Sequence, residues 1–220
     1  MKLTFVSGTG TDVGKTYVTA QLALSLARRG VRAGVYKPVA SGCIGTDTNS
    51  SERISSDADQ LTAALQRPVD PDLICPQRFL APLAPDEAAR QEGRRVDPDL
   101  LFEGAKRWAT ECEHLLVEGA GGLFSPIADE LLNLDLFLKL RTDPEFETEL
   151  VLVAPNRLGV IHETLATVRA AIAQSAAIDR IYLTATQPQS DQSGQTNAAQ
   201  LRHWLPEQKI VTVDWNGTVE

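Results

Sequence analysis

The sequence predicts an α/β domain with a mostly parallel, doubly wound sheet and helices on both faces. Three observations predict it. Short apolar runs alternate with stretches of helical spacing along the chain, and that alternation sets strands side by side with helices returning over both faces. A glycine-rich stretch, GTGTDVGKT at 8–16, falls between the first apolar run and the first helical period. Hydrophobic residues make up 43% of 220, enough for one substantial core. Residues 1–220 are therefore expected to form a single domain.

The elements follow in order. Leu3 to Val6 form the first strand and run into Ser-Gly. KTYVTAQLALSLARRG has apolar residues at helical spacing and closes at Gly30 behind two arginines; cations suit the C-terminal end of a helix dipole. RAGVYKPVASG supplies a second strand entering Pro38. Residues 43–56, CIGTDTNSSERISS, read as a mobile polar loop, and a helix is expected from Asp57 to Gln66. The stretch 68–90, PVDPDLICPQRFLAPLAPDEAAR, holds five prolines and is expected to cross the surface irregularly. A helix over 99–112 then leads into the strand HLLVEGAGG. Helix–strand pairs over 130–140 with 149–154 and 160–175 with 179–184 come next. The polar loop QPQSDQSGQTN, a last helix and the strand KIVTV complete the pattern, without internal repeats.

Composition excludes several function classes. A net charge of −8 without runs of Lys or Arg argues against a nucleic-acid partner, which needs a basic surface. No stretch reaches the roughly 18 apolar residues of a membrane span, and MKLTFVSG carries no signal-peptide cleavage pattern. Cys43, Cys75 and Cys112 are scattered, with no CxxC pair, as suits a reducing compartment; Cys112 is expected near a helix end as a packing residue. The expectation is a cytoplasmic protein with no membrane partner.

The opening glycine-rich stretch carries the chemistry. The common phosphate loop has Gly, four residues, then Gly-Lys-Ser/Thr. Here Thr9 stands where the first Gly belongs and Gly8 comes one residue earlier. A strand, a glycine-rich turn and a helix N-terminus still aim backbone amides at one spot. Gly10, Thr11, Asp12, Val13, Gly14, Lys15, Thr16 and Tyr17 are thus candidate nucleotide-binding residues of a P-loop NTPase type of fold. Lys15 can reach the terminal phosphates, and the Thr16 hydroxyl can ligate Mg²⁺.

Further candidates lie at the same sheet edge. Glu118 ends an apolar strand beside Gly119, Ala120 and Gly121; an acid there can hold Mg²⁺, and glycines admit a ligand closely. Lys37 ends the second strand, so two lysines converge on one phosphate path and can neutralise a second anion at the γ-phosphate. Ser41 can donate a hydrogen bond there. Asp57 and Asp59 open a helix, where one caps it and one can complete a Mg²⁺ shell. Asp12 is an acid that suits an amine or a metal rather than phosphate. In PNRLGVIHETL the helix-start amides of Gly159, Val160 and Ile161 can take a carboxylate, while His162 reads as a cap or surface residue. His114 and His203 are not placed with it, so a histidine metal site or triad is not expected.

GTGTDVGKT, YKPVASG and VEGAGG, in this order and spacing, resemble the dethiobiotin synthetase family, whose loop has the same displaced first glycine. PNRLGVIHETL is similar to that family's substrate-tail region, and the resemblance runs from about residue 3 to 175. It implies an ATP-dependent ligase acting on 7,8-diaminononanoate and CO₂ or bicarbonate, with Mg²⁺, ATP as co-substrate, and a homodimer. It implies that Lys15 contacts carbamate and phosphates and that Lys37 steadies the phosphoryl oxygens. Thr16, Asp57 and Glu118 become the Mg²⁺ set, with Asp57 chosen because Ser-Asp-Ala matches the family. Asp12 would face the diamine, Ser41 the carbamate, and residues 159–162 the substrate carboxylate across a dimer interface. Two departures stand out: Thr184 or Thr186 occupies the neighbourhood of an adenine-reading Asn, and a Gly-x-Ile-Pro segment near residue 213 is replaced by VDWNG.

Two other readings compete. One is a related synthetase with another substrate, against which YKPVASG speaks. The other is a partitioning or site-positioning ATPase switch, which carries an additional lysine early in the loop; Thr9 to Val13 contain none.

Overall fold

In a computed structural model describing residues 1–45, 53–189 and 192–219, the central sheet has six strands in the order β10-β9-β8-β1-β5-β2. These are Lys209–Val213 (β10), Arg180–Thr184 (β9), Glu147–Pro155 (β8), Lys2–Gly8 (β1), His114–Gly122 (β5) and Ala33–Tyr36 (β2). All neighbouring pairs are parallel. The expected alternation is therefore present, and β1 lies inside the sheet between β5 and β8.

Alternation along β1 explains why both faces are covered. Phe5 points to one face and packs on Phe137 of α6 (Asn133–Thr142), ring centroids 5.8 Å apart. Val6 points to the other and joins Val18 of α1 (Lys15–Arg28), with Tyr182 of β9 and Val213 of β10. Every strand delivers its carboxyl end to one edge, and the loop after β1 opens there, between two neighbouring strands.

The segment 68–90 differs from expectation. It forms α3 (Pro71–Ile74), a strand β4 (Gln77–Arg78) and α4 (Pro85–Gln91). Ile74, Cys75 and Phe79 within it are fully buried. The prolines act as helix starts rather than as breakers: Pro71 and Pro85 open their helices, where a missing N–H costs nothing. β4 pairs in parallel with β3 (Val39–Ala40), just beyond Lys37. The segment is thus part of the core beside the site and not a surface excursion.

Two boundaries also move. α5 (Pro98–Lys106) ends before 112, and Trp108 beyond it is buried with its Nε1 donating to Leu73 O at 3.2 Å. Cys112 is buried past that end, as expected of a packing residue. A short antiparallel hairpin, Pro126–Ala128 (β6) with Leu131–Leu132 (β7), precedes α6. Helix α2 spans Ser56–Ala64, capped by the Ser55 hydroxyl accepting from Ala58 N. Residues 46–52 of the loop expected over 43–56, and 190–191 of the later polar loop, lie outside the described residues. Helices α7 (Val160–Ala173) and α8 (Asn197–Trp204), with a short 3-10 turn over Gln192–Gln195 between β9 and α8, follow towards the C-terminal end.

Candidate active site

A cleft of about 910 Å³ opens at the carboxyl edge of the sheet. β1 hands its chain to a tight loop in which Asp12 (φ 55°) and Gly14 (φ 92°) take left-handed backbone. Gly14 is required twice, because a Cβ there would also stand 3.0 Å from the Thr184 hydroxyl. Gly14 is the N-cap of α1 and brings no side chain to it, so the helix-start amides keep their positive field for an anion. Lys15 folds back over the loop, Nζ donating to Gly10 O at 2.7 Å. Burial, reinforced by the nearby Lys37 ammonium, lowers the Lys15 pKa to about 8 against the opposing pull of Glu118 and Asp57.

Below the loop four side chains converge. Lys37 Nζ donates to Glu118 Oε1 at 2.5 Å and to Asp57 Oδ2 at 2.6 Å. The Thr16 hydroxyl donates to the same Glu118 oxygen at 2.9 Å. Glu118 is 0% exposed and the Lys37 side chain 5%. Burial alone would depress the Lys37 pKa, but the two carboxylates outweigh it and raise it above the ordinary lysine value. Burial opposes ionisation of Asp57 too, and the Lys37 ammonium wins, holding that carboxyl below the usual range.

These residues fit a divalent cation. Glu118 Oε2 is buried and has no hydrogen-bond partner, an acceptor left open beside a second carboxylate and a hydroxyl. Among the described residues no cluster of three or more His, Cys, Asp or Glu could cage a metal. The donor set of two carboxylates and Thr16 suits Mg²⁺, which takes few protein ligands and fills its shell with water and phosphate.

The cleft gathers most of the expected residues: Thr11, Asp12, Gly14, Lys15, Thr16, Tyr17, Lys37, Ser41, Asp57, Ala120, Gly121 and Thr184 line it. Val13 and Gly119 are buried supports behind the lining. The Thr184 hydroxyl donates to Val13 O at 2.6 Å, so this side chain braces the loop from β9. Residues 159–162 are not part of the lining. Gly159 (φ 96°) is the N-cap of α7, and His162 is exposed. The Val160 amide, expected to face an anion, instead donates to Arg157 O at 3.2 Å, which closes the turn entering the helix.

Three features were not anticipated from the sequence. Asn133, fully buried at the start of α6, donates to Ala120 O at 2.7 Å and Gly122 O at 2.8 Å while its Oδ1 accepts from Ala120 N. It moulds the Gly-Ala-Gly end of β5, and a Cβ on Gly119 would come 2.5 Å from its Oδ1. Pro82 and Leu83, from the refolded 68–90 segment, give the cleft an apolar side. Trp215 and Asn216, following β10, form a further wall. The Pro-Leu-Ala-Pro run at 82–85 was a usable signal for the second feature; nothing local marked Asn133.

Comparisons with known proteins agree with this geometry. A family described as an AAA domain matches residues 2–220. The chain is 45% identical over 207 residues to the ATP-dependent dethiobiotin synthetase of Rhodopirellula baltica, covering 92% of this chain and 80% of that one. It is 43% identical to the enzyme of that name from Phenylobacterium zucineum, with 73% and 66% covered. For the one from Anaeromyxobacter dehalogenans the figures are 33% identity with 98% and 91% covered. Among solved structures, the chloroplast FtsY of Physcomitrella patens superposes with a TM-score of 0.53 at 17% identity, over 95% of this chain and 56% of that one. The FtsY of Elizabethkingia anophelis gives 0.52 at 15%, over 100% and 59%. This chain thus spans under two thirds of those structures, and the likeness is one of fold.

Proposed function

The chain belongs to the ATP-dependent dethiobiotin synthetase family, and from that premise we propose how its cleft makes dethiobiotin as an ATP-dependent ligase. 7,8-Diaminononanoate lies along the cleft with its aliphatic chain against Pro82 and Leu83. One amine adds to CO₂, losing a proton, and gives a carbamate held by Lys15 and Ser41, with Asp12 orienting the ammonium end. The carbamate oxygen attacks the γ-phosphorus of ATP and ADP departs, leaving a mixed carbamic–phosphoric anhydride. The second amine attacks the carbamoyl carbon, closes the cyclic urea and expels phosphate.

The protein's share of this chemistry is positional and electrostatic, as phosphoryl transfer requires. The loop amides and Lys15 cradle the phosphates. Lys37 stands where it can follow charge onto the transferring oxygens. Mg²⁺, held by Thr16, Asp57 and Glu118, would screen the phosphate oxygens. The substrate carboxylate is bound by the 159–162 segment of a second subunit in a homodimer. Among the described residues no helix is long and apolar enough to cross a membrane, and we assign the protein to the cytoplasm.

The observation that carries this reading is the cluster in which buried Lys37 and Glu118 meet Asp57 and Thr16 beside a phosphate loop. A switch ATPase of the competing kind carries its second lysine early in the loop, where Thr9 to Val13 hold none, whereas here the second lysine, Lys37, follows β2. The test is phosphate release from Mg-ATP and bicarbonate with and without the diamine, with product mass recorded. Diamine-dependent release yielding dethiobiotin is expected; release indifferent to the diamine would sink the assignment.

A further inference from the structure

The segment that enters α7 is exposed in front and held from behind. Arg157, Leu158 and Gly159 are all exposed, Leu158 at 77%, so packing in the core fixes none of them. The first core residue of the helix is Val160, which is fully buried. A stretch that presents main-chain amides to an anion must still be held to within about half an ångström to keep its hydrogen bonds. Two asparagines, 41 residues apart in the chain, do the holding.

Asn156 follows directly on β8. Its main-chain amide donates to Thr184 O at 2.7 Å, which ties it to the end of β9. Its Nδ2 donates to Gly194 O at 3.1 Å, in the 3-10 turn before α8. Asn197, the first residue of α8, is 3% exposed. Its Nδ2 donates to Asn156 Oδ1 at 3.0 Å and to Arg157 O at 3.2 Å, with Ser193 Oγ a further acceptor at 3.4 Å. Arg157 O is the same carbonyl that accepts from the Val160 amide. One buried side chain therefore grips both residues that lead into the exposed segment.

Seating the helices does not require this arrangement. Val168 of α7 and Leu201 of α8 are fully buried in the same core, and apolar burial of that kind is non-directional. Hydrogen bonds from an amide differ in fixing where a carbonyl lies and which way it points. The consequence falls on the amides in front. With the Val160 amide turned to Arg157 O, those of Gly159, Ile161 and His162 find no main-chain acceptor among the described residues.

From this we infer that Asn156 and Asn197 are positioning residues for the substrate carboxylate: acting through the main chain of Arg157, they set the place and direction of the segment whose free amides meet the anion. Neither side chain touches the reacting atoms. The inference rests on the assignment of 159–162 to the carboxylate in the preceding subsection.

The test compares two substrates on each protein: 7,8-diaminononanoate and 2,3-diaminooctane, which keeps the vicinal amines and the alkyl chain but lacks the carboxylate. Turnover is measured at saturating Mg-ATP and bicarbonate for the intact protein, Asn197→Ala, Asn197→Asp and Asn156→Ala. The unaltered protein should prefer the acid about a hundredfold in kcat/KM, mainly through KM. The two alanine variants should cut that preference about tenfold by raising the KM for the acid, with 2,3-diaminooctane turned over as before. Asn197→Asp keeps the shape but has no amide hydrogen to donate, and should fall with them. Equal loss on both substrates in all three variants would mark the pair as structural and overturn the inference. A preference for the acid that survives all three substitutions would overturn it while leaving the carboxylate assignment standing. If the unaltered protein treats the two substrates alike, that assignment fails and the inference with it.

Discussion

Lys37 is buried with two carboxylates as partners, so its removal has consequences of two kinds. Lys37→Gln should lower kcat about 10²–10³-fold with little change in the KM for ATP, since the ammonium acts where charge moves rather than where ATP docks. Comparable loss in both constants would place Lys37 in ground-state binding. The same variant leaves Glu118 buried without its ammonium, and urea unfolding in the absence of ligand should show a loss of about 3 kcal/mol. Asn133→Ala orphans three backbone groups of residues 120–122 at the end of β5 and should destabilise by about 2–4 kcal/mol; an unchanged midpoint would refute its moulding role. Lys37 was legible in the sequence because it follows directly on a strand in a chain of alternating elements, and Glu118 because it interrupts an apolar run before Gly-Ala-Gly-Gly, although β5 continues past it to Gly122 instead of ending there. Asn133 was not, since its partners are main-chain atoms brought near by a hairpin that no local pattern announces.

At the scale of elements, the misread segment 68–90 shows what proline conceals. Proline forbids the helix interior but favours its first turn, so a proline-rich run is compatible with a surface coil or with short capped helices. Burial decides between them, and burial depends on partners elsewhere in the chain. Here the partner is Arg53, whose guanidinium is almost fully buried between Arg78 O and the Glu92 carboxylate, 2.6–2.7 Å from each. Glu92 also accepts from Leu80 N at 2.7 Å. Burial opposes its ionisation, but the Leu80 amide and Arg53 together hold its pKa below the ordinary glutamate range. A depressed carboxyl pKa contributes stability above the unfolded value of about 4.3, and that contribution is lost as pH falls through the folded value. Thermal or urea unfolding between pH 6 and 3 should therefore decline more steeply for the unaltered protein than for Glu92→Gln, with the two curves converging at the acid end. Parallel curves would show that Glu92 does not anchor this segment.

For the whole molecule, alternation along the chain sufficed to predict a parallel sheet wrapped on both faces, because both follow from periodicity. The strand order did not follow, since β5 inserts between β1 and β2 and nothing in their sequences selects that neighbour. The same limit applies to the site: one chain's cleft contains the phosphate end and an apolar side, but 159–162 do not line it, and Leu158 beside them is 77% exposed. In the proposed two-fold dimer each subunit would lend that segment to its partner's cleft as the anchor for the substrate carboxylate. Mixed dimers test this directly. Lys37→Gln disables the cleft, and Gly159→Val, at φ 96°, distorts the lent segment; each alone should be nearly inactive at limiting diamine. If the segment acts in trans, a hybrid of the two carries one site with both parts intact and one with neither. Half the dimers in an equal, re-equilibrated mixture are hybrids, so diamine-dependent turnover should return to about a quarter of the unaltered level. If the segment serves its own chain, every site in the mixture carries one lesion, and no activity returns.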